Sequence, residues 1–398
     1  MPRTHNLTQR ISPGRLAAFE TLEAVAEGAY ASDFLRQQSR GLAARDAGLA
    51  AQITFGTLRM QAQLDFLIES YSGRPACSLD EVVRVVLRTA IFQLRYLERI
   101  PPHAAVHESV EYIKKRRRAA TGLTNAVLRK VNRDPVKWPD PATEFSLPGW
   151  LLERWHRHFG NFRAEGIARA ALAEPEQYVR IRPDSAVPDE LEVAGTSMPG
   201  AYRLRSPAPA GWRLHDIGSQ AILPLLELTA GDTYLDLCAA PGNKTAQALE
   251  APLALAIACD SSENRLREMP SICPKVVLDA TQPLPFSARF SRIFVDAPCS
   301  GTGTVGRNPE IKWRVEESDF RRFGEKQTAI LRQAVRSLLP TGKLLYATCS
   351  LEEEENEAVI QTVLKEDPSL TLERELWRLP GREEGDGFYG AVLVHALS

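Results

Sequence analysis

Apolar residues in the first third of the chain recur at the spacing of an amphipathic helix. One face of such a helix collects Val83, Leu87, Ala90, Ile91 and Leu94. The prolines of IPP at 100–102 break this pattern, and a new helix is predicted from about His103. We therefore predict that residues 10–133 are all helical.

The pattern becomes mixed between residues 134 and 210. Four prolines fall within Asp134–Gly149, which is typical of a linker or a domain entry. An amphipathic helix is predicted from about Leu151, and short alternating segments such as QYVRIRP and YRLRS follow it. These features favour a small α+β subdomain over residues 139–210.

Short apolar runs recur after residue 211, and each ends at a polar or acidic residue. These runs are TYLDLC, LAIACD, KVVLD, RIFVDAPC and KLLYATC. Helical segments separate several of them, one extending from Phe320 to Leu339. Strands that alternate with helices indicate a doubly wound parallel sheet over residues 211–398, and ligands of such sheets bind at the carboxyl ends of the strands.

The composition is that of a soluble globular protein with several domains. The chain has 398 residues, of which 44% are hydrophobic and 25% charged, and this length suggests two or three domains. No apolar stretch approaches the roughly 18 residues that a membrane helix needs. Because the first residues also lack the apolar core of a secretory signal, we expect a cytoplasmic protein with no membrane association. A monomer is the default expectation for its oligomeric state.

Charge is distributed unevenly along the chain. Residues 1–145 carry 21 Lys and Arg against 15 Asp and Glu, a balance of +6, whereas the remainder carries 28 against 35, a balance of −7. A basic N-terminal part is consistent with a polyanionic partner. The run KKRRR (Lys114–Arg118) is either a patch that contacts phosphates or a solvated helix end favoured by the helix dipole.

The segment DLCAAPGNKT (Asp236–Thr245) joins a strand to a helix through small residues. Small residues let a ligand lie against the backbone, and a helix N-terminus favours an anionic group. Two acids, Asp260 and Asp279, end the next two strands, where a carboxylate can accept hydrogen bonds from a ribose. Each acid alone is more often a helix cap or a turn residue, but together with the loop they favour a cofactor that contains adenosine.

Two cysteines follow neighbouring strands. Cys299 comes three residues after Asp296 in VDAPCSGTG, and Cys349 ends the next strand in YATCSLEEEEN. Because neighbouring strand ends lie close together, two thiols and a carboxylate are predicted to surround one pocket. The string GTGTVG that follows Cys299 matches a dinucleotide-binding pattern, but it does not follow the first strand of a βαβ unit, and NAD binding is not expected.

Two thiols and an acid suit methylation of carbon 5 of cytosine. That carbon is a poor nucleophile until a thiolate adds to carbon 6, and a base must then remove the carbon-5 proton before the thiol can leave. Nearby positive charge favours a thiolate, and Lys244 is a candidate source. The remaining cysteines, Cys77, Cys259 and Cys273, are predicted to be packing residues, and the absence of a C-x-x-C spacing argues against a metal site.

Several of these strings resemble a known family. LDLCAAPGNKT, VDAPCSGTG, RNPEIKWR, YATCSLEEEEN and EGDGFYGAVL are similar to the motifs of Sun/NSUN-type RNA cytosine-C5 methyltransferases, which use S-adenosylmethionine. The segments LRTAIFQLRYLERIPPHAAVHESVEYIKK and GLTNAVLRK resemble the NusB RNA-binding fold. The combination resembles enzymes that methylate cytosine 967 of 16S rRNA.

The resemblance implies three domains: a NusB-like helical RNA-binding domain over 1–138, a small α+β subdomain over 139–210, and a Rossmann-like methyltransferase domain over 211–398. It also implies a role for each motif residue. Cys349 would be the nucleophile, Cys299 would assist elimination, Asp296 would contact the base and the cofactor, and Lys244 would reach the substrate. The cofactor would be bound by Cys238, Ala239, Ala240, Pro241, Gly242, Asn243, Lys244, Asp260, Asp279 and Asp296, and the likeness further suggests that Asp216 and Gln220 approach it.

The chain departs from the family at two places. Asn243 stands where the family usually has glycine, and asparagine is expected to preserve the turn because it tolerates a left-handed backbone. The stretch from Glu268 to Asp279 is also short, with Met-Pro and Cys-Pro in place of a longer helix.

The sequence thus predicts a methyltransferase acting on carbon 5 of a cytosine in 16S rRNA through a covalent bond from cysteine to carbon 6. The same chemistry on tRNA or another RNA remains an alternative. A further alternative, from another class, is a non-catalytic RNA-binding factor.

Overall fold

The computed structural model describes residues 11–209 and 211–396. The chain forms two compact units. The first extends through Glu174 and includes Val305–Arg314, and the second comprises Pro175–Thr304 and the chain from Val315 onward.

Helices are distributed over both units. The first unit contains α1 (Pro13–Ala26), α2 (Ala31–Gln38), α3 (Ala44–Arg59), α4 (Gln61–Ser72), α5 (Glu81–Tyr96), α6 (Pro102–Arg116), α7 (Thr121–Leu128), α8 (Pro141–Glu144), α9 (Gly149–Phe159), α10 (Asn161–Leu172) and α14 (Ile311–Arg314). The second contains α11 (Ile217–Gln220), α12 (Asn243–Ala248), α13 (Glu263–Glu268), α15 (Glu317–Arg336) and α16 (Glu357–Glu366). Short 3₁₀ helices lie at Ala76–Ser78, Arg118–Ala120, Leu223–Leu226, Thr302–Thr304 and Glu353–Glu355.

The first unit confirms the all-helical prediction for the N-terminal part. The backbone N–H of Val82 donates to the Asp80 carboxylate (3.0 Å), which caps α5. Pro102 occupies the first turn of α6, where its missing N–H costs nothing. Of the predicted apolar face of α5, Val83, Leu87, Ala90 and Ile91 are buried in the core of this unit, and Leu94 is partly buried against it.

The boundaries predicted for an α+β subdomain differ from those of the compact units. Helices α8, α9 and α10 belong to the first unit, whereas strands β1 (Tyr178–Arg180), β2 (Val193–Gly195) and β3 (Ala201–Leu204) belong to the second. The strands form an antiparallel sheet in the order β1-β3-β2. The division falls at 174/175 because the apolar faces of the preceding helices pack in the first unit, for example through the fully buried Trp155.

The second unit is built on a seven-stranded sheet. Its strands are β4 (Thr233–Asp236), β5 (Leu255–Asp260), β6 (Lys275–Val277), β7 (Phe290–Asp296), β8 (Leu338–Thr348), β9 (Leu370–Arg378) and β10 (Phe388–His395), in the order β6-β5-β4-β7-β8-β10-β9. The first five in that order pair in parallel, and β10 and β9 pair antiparallel. This arrangement confirms the doubly wound sheet, with an antiparallel edge that the sequence did not predict.

The strand order reverses between β4 and β7, and ligands of open α/β sheets bind at such a point. Both faces of the central strands are buried in the core, for example at Leu235, Ile293 and Tyr346 and at Tyr234 and Phe294. A sheet that is covered on both faces leaves only its edges and strand ends accessible to a ligand. Within the described residues, no helix is both long and apolar enough to cross a membrane.

Candidate active site

A cavity of about 540 Å³ opens at the carboxyl ends of β4, β5, β7 and β8. Its lining includes eight of the residues predicted from the sequence: Cys238, Ala240, Lys244, Asp260, Asp279, Asp296, Cys299 and Cys349. The structure thus brings both thiols, the lysine and all three acids to one cavity within the second unit.

The loop between β4 and α12 forms one wall of this cavity. Gly242 has φ = 101°, in the left-handed region that favours glycine. A Cβ added there would lie 2.6 Å from Cγ of Met269, so a larger residue would also displace that side chain. Of the predicted loop residues, Ala239, Pro241, Gly242 and Asn243 shape this turn but are not among the described residues that line the cavity.

Asn243 is accommodated for a different reason from the one predicted. It is the first residue of α12 and does not have a positive φ; Gly242 takes the left-handed conformation instead. The Asn243 side-chain amide donates to the carbonyl of Leu214 (2.8 Å). The turn therefore does not depend on asparagine tolerating a left-handed backbone.

The two strand-end acids differ in how tightly they are held. Asp260 ends β5 and is 4% exposed, and its carboxylate accepts from the backbone N–H groups of Ala240 (3.2 Å) and Ser262 (2.9 Å). Asp279 follows β6 by two residues and accepts from the N–H and hydroxyl of Thr281 (3.0 and 2.8 Å). These hydrogen bonds lower the pKa of Asp279. Because hydrogen bonds hold each carboxylate, both acids present ordered oxygens to the cavity.

Asp296 and Lys244 form an ion pair inside the cavity. The Lys244 ammonium donates to Oδ2 of Asp296 at 2.6 Å, and its Nζ also lies 5.0 Å from the centre of the Phe388 ring. Burial opposes the charge on Lys244, but Asp296, Cys349 and Asp236 together outweigh burial, and the pKa of Lys244 is raised. The lysine is therefore a fixed positive charge beside the thiols.

The two thiols face each other. Strands β7 and β8 pair in parallel with Asp296 opposite Ala347, so the loops that follow them emerge side by side. The sulfur atoms of Cys299 and Cys349 are 3.2 Å apart. This contact and burial raise the pKa of Cys299 well above its ordinary value, so Cys299 keeps its proton at neutral pH.

Backbone contacts hold the two cysteine loops together. The N–H of Gly303 donates to the carbonyl of Cys349 (2.8 Å), and the N–H of Leu351 donates to the Thr302 hydroxyl (2.9 Å). A Cβ on Gly303 would lie 2.7 Å from that Cys349 carbonyl oxygen. Glycine is therefore required at position 303 for close approach to the second loop, which accounts for the central glycine of GTGTVG without a dinucleotide.

Comparison with known proteins assigns the chain to a family. A model described as 16S rRNA methyltransferase RsmB/F matches residues 223–394, and a NusB family model matches residues 12–133. Ribosomal RNA small subunit methyltransferase B of Enterobacter sp. (strain 638) is 33% identical over 420 residues, which cover 95% of this chain and 98% of that protein. The chain belongs to the RsmB family. A protein of the same name from Citrobacter koseri shows the same identity and coverage.

Two solved structures resemble the fold of this RsmB family member. The crystal structure of PH0851 aligns with a TM-score of 0.79 at 22% identity and covers 96% of this chain and 98% of that chain. The structure of NSun6 from Pyrococcus horikoshii with SFG aligns with a TM-score of 0.54 at 19% identity, covering 63% of this chain and 99% of that chain. At these identities the likeness concerns the fold.

Membership of the RsmB family confirms several predictions from the sequence. The protein is an rRNA methyltransferase that uses S-adenosylmethionine and acts on the small-subunit rRNA. Its N-terminal part is NusB-like, and its C-terminal part is Rossmann-like.

Two residues that the family likeness suggests near the cofactor have structural hydrogen-bond partners. Asp216 caps α11, where it accepts from the N–H groups of Gly218 (2.8 Å) and Asp386 (2.9 Å). Gln220 is buried and donates to the carbonyls of His215 (2.7 Å) and Val179 (3.3 Å). Neither is among the described residues that line the cavity, and their approach to the cofactor stays a prediction.

The other cysteines of this RsmB family member have structural surroundings. Cys259 is buried in the core, and burial raises its pKa. Cys273 packs against apolar residues. Cys77 is exposed, so the prediction that it packs was wrong.

Sequence reasoning also missed residues that line the cavity. Phe388, which lies under the Lys244 ammonium, comes from β10 at the far end of the sequence. Arg265 projects from α13 and donates to the carbonyl of Ala240 (2.5 Å). Only the string EGDGFYG pointed to Phe388, and no spacing in the sequence pointed to Arg265.

Proposed function

We propose that this RsmB family member methylates carbon 5 of a cytosine in 16S rRNA, the base equivalent to cytosine 967, through a covalent bond from Cys349 to carbon 6. The observation that carries this proposal is the 3.2 Å approach of the Cys299 and Cys349 sulfurs at the ends of adjacent parallel strands. A single thiol would serve an addition, but the addition and the later removal of a proton need two groups at one place.

The residues around the cavity fit S-adenosylmethionine. A volume of about 540 Å³ lies within the usual range for small-molecule sites, roughly 300–1,000 Å³. Asp260 and Asp279 would accept hydrogen bonds from the adenosine part, and the small residues from Ala239 to Gly242 leave room for close approach to the backbone. When bound, this cofactor supplies an electrophilic methyl group. Our proposal therefore assigns residues 238–244, Asp260, Asp279 and Asp296 to its binding.

Cys349 is assigned as the nucleophile and Cys299 as the proton acceptor. The Cys349 thiolate forms a bond to carbon 6 of cytosine, and the ring electrons shift to carbon 5, which becomes nucleophilic. After carbon 5 has been methylated, Cys299 gives its own proton to water, and the resulting thiolate takes the proton from carbon 5. The carbon 6–sulfur bond then breaks, the Cys349 thiolate leaves, and the aromatic ring is restored.

The surroundings of the thiols support this order. The contact with Cys349 and burial raise the pKa of Cys299, which disfavours Cys299 as the attacking thiolate. Lys244 adds positive charge on the cavity side, which favours a thiolate. Asp296 lines the same cavity and would contact the base at nitrogen 3.

The target assignment is supported by the family and by the helical unit. The relatives from Enterobacter and Citrobacter are named as small-subunit rRNA methyltransferases, and the NusB model covers residues 12–133. We assign the helical unit to RNA binding. Its basic run, Lys114–Arg118, is exposed, although Arg117 pairs with Asp80 (2.9 Å) and Lys114 with Glu111 (3.6 Å).

A trapping experiment tests the proposal. Wild type, Cys299→Ala, Cys349→Ala and Cys77→Ala are incubated with unmethylated 16S rRNA and donor labelled in the methyl group, and the products are resolved on a denaturing gel. The exposed Cys77 serves as a matched control for the loss of a thiol. We expect a labelled protein–RNA adduct only from Cys299→Ala, methylated RNA from wild type and Cys77→Ala, and neither from Cys349→Ala.

Other outcomes would correct specific parts of the proposal. An adduct from Cys349→Ala would reverse the roles of the thiols. Faster methylation of tRNA than of 16S rRNA or assembled small subunits would move the target. No methyl transfer to any of these substrates by wild type would contradict the enzymatic proposal.

A further inference from the structure

One carboxylate in the acidic run after Cys349 is completely buried. Glu355 is 0% exposed, whereas Glu353, two residues earlier in the same 3₁₀ helix, is exposed. A glutamate is seldom fully buried unless its oxygens have partners. The identity of these partners points to a role in the active site.

The partners of Glu355 are the residues that follow the two thiols. Oε1 accepts from the hydroxyls of Ser300 and Ser350, the latter at 2.6 Å. Oε2 accepts from the backbone N–H of Ser300 (2.8 Å) and from the side-chain amide of Gln327 (3.0 Å). Since Ser300 follows Cys299 and Ser350 follows Cys349, a single carboxylate binds both catalytic loops.

All four donors are neutral, and together they match the four lone pairs of an ionised carboxylate. Burial raises the pKa of Glu355, and the hydrogen bonds from Ser300, Ser350 and Gln327 act in the opposite direction. The charge also lies close enough to Cys299 to add to the rise in that thiol's pKa. Glu355 thus acts on the thiols through geometry and, to a smaller degree, through charge.

We propose that Glu355 is a positioning residue that holds the Cys299 and Cys349 thiols in register by joining Ser300 to Ser350. This inference rests on the two-thiol function proposed above. Glu355 does not line the cavity among the described residues, so it acts through the loops and not on the substrate. The separate bonds from Gly303 to the Cys349 carbonyl and from Leu351 to Thr302 keep the loops paired without it.

Replacing Glu355 by alanine is expected to affect kcat and KM differently. Glu355 itself does not line the cavity, so we expect KM for RNA and for S-adenosylmethionine to stay within about threefold of wild type. The thiols lose their register, and misplacement of reacting groups by about 1 Å costs on the order of 100-fold in rate. We therefore expect kcat of Glu355→Ala to fall by about 100-fold. A general loss of structure would change KM and kcat together.

Glu353→Ala is the matched control, because it removes a carboxylate from the same run at an exposed position. We expect it to have wild-type kcat and KM. Ser300→Ala is a milder second variant that removes one of the four donors and leaves the carboxylate in place. Its kcat is expected to fall by about tenfold, since hydrogen bonds to charged groups are among the stronger ones.

Thiol cross-linking measures the register without methyl transfer. Diamide oxidises two adjacent thiols to a disulfide: two S–H bonds break, one S–S bond forms, and the azo group takes both hydrogens and becomes a hydrazine. The rate at which the Cys299–Cys349 disulfide appears is followed by mass spectrometry of tryptic peptides. Wild type and Glu353→Ala are expected to cross-link at the same rate, and Glu355→Ala at least tenfold more slowly.

The two readouts separate this inference from the proposed function. Wild-type kcat and cross-linking rate in Glu355→Ala would overturn the positioning role and leave the two-thiol mechanism standing. If wild type transfers no methyl group, the proposed function fails, and the cross-linking rates alone decide the positioning role. If Glu355→Ala does not fold, Ser300→Ala decides: slower cross-linking supports the inference, and a wild-type rate overturns it.

Discussion

Replacing Gly303 by alanine tests the requirement for close packing between the cysteine loops. A Cβ at this position would lie 2.4 Å from the carbonyl oxygen of Gly387 and 2.7 Å from that of Cys349. Both neighbours are backbone atoms, which cannot rotate away as a flexible side chain can. The loop that carries Cys349, or the one before β10, must therefore move.

The expected loss of stability and of catalytic rate in Gly303→Ala follows from these distances. Carbon–oxygen contacts of at least 3.4 Å are ordinary, so the methyl group would overlap its neighbours by up to about 1 Å. Overpacking of this kind costs about 1–3 kcal/mol, and a 1 Å shift of a reacting group costs on the order of 100-fold in rate. We expect Gly303→Ala to lower Tm by several degrees and kcat by about 100-fold.

The assay compares thermal unfolding, single-turnover methyl transfer and S-adenosylmethionine affinity. Gly48→Ala is the matched control: this glycine lies within α3, and no atom lies within 4 Å of its added Cβ. Alanine is favoured over glycine in a helix by about 0.5–1 kcal/mol, so the control is expected to gain slightly in Tm and keep wild-type activity. Wild-type kcat and Tm in Gly303→Ala would refute the packing argument.

Three further predictions concern charged groups. Lys244→Met leaves Asp296 without its cation. Since a charge-assisted hydrogen bond contributes about 1.5–3 kcal/mol, we expect the rate of methyl transfer to fall by at least tenfold. Full activity in a methyl-transfer assay would contradict this. Burial raises the pKa of Asp236 to about 7, so its contribution to stability is complete below about pH 4 and declines as the pH rises through 7, by about 4 kcal/mol at most. In denaturant unfolding, the free energy of unfolding of Asp236→Asn should increase relative to that of wild type between pH 5 and pH 8. An equal pH dependence of unfolding in the two proteins would exclude the effect. Replacing Lys114–Arg118 with glutamine should weaken RNA binding and flatten its salt dependence, whereas an unchanged slope would identify the run as a solvated helix end.

The sequence predicted the elements of the catalytic unit because its signals are local. Each buried strand appears as a short apolar run, and each run ends where the chain leaves the sheet, so Asp260, Asp296 and Cys349 were all placed at strand ends. Parallel pairing of β7 with β8 then brings Cys299 and Cys349 together. The convergence of these residues follows from topology, which alternation of strands and helices already indicates.

Other features depend on contacts that are distant in sequence. RNPEIKWR follows the cysteine loop in the chain, yet it packs in the helical unit, where the Lys312 side-chain nitrogen donates to the carbonyl of Arg59 (2.8 Å) and the Trp313 indole to that of Leu58 (3.0 Å). No periodicity in the segment could indicate this destination. The boundary at 174/175 likewise has no local signal, since only short helices precede it and short strands follow it.

The acidic run illustrates how composition can mislead. Glu352–Glu355 is a run of four like charges, yet Glu352 and Glu355 are 1% and 0% exposed. Burial of Glu355 depends on donors from three separate parts of the chain, namely Ser300, Gln327 and Ser350. A single sequence does not show which acid of such a run turns inward.

The central claim is the covalent bond between Cys349 and the target base. Mass spectrometry of the nuclease- and trypsin-treated adduct from Cys299→Ala with 16S rRNA tests it most directly. The account predicts one modified peptide, in which Cys349 carries a methylated cytosine nucleotide. Attachment of RNA to any other residue, or a nucleotide other than cytosine on Cys349, would contradict it.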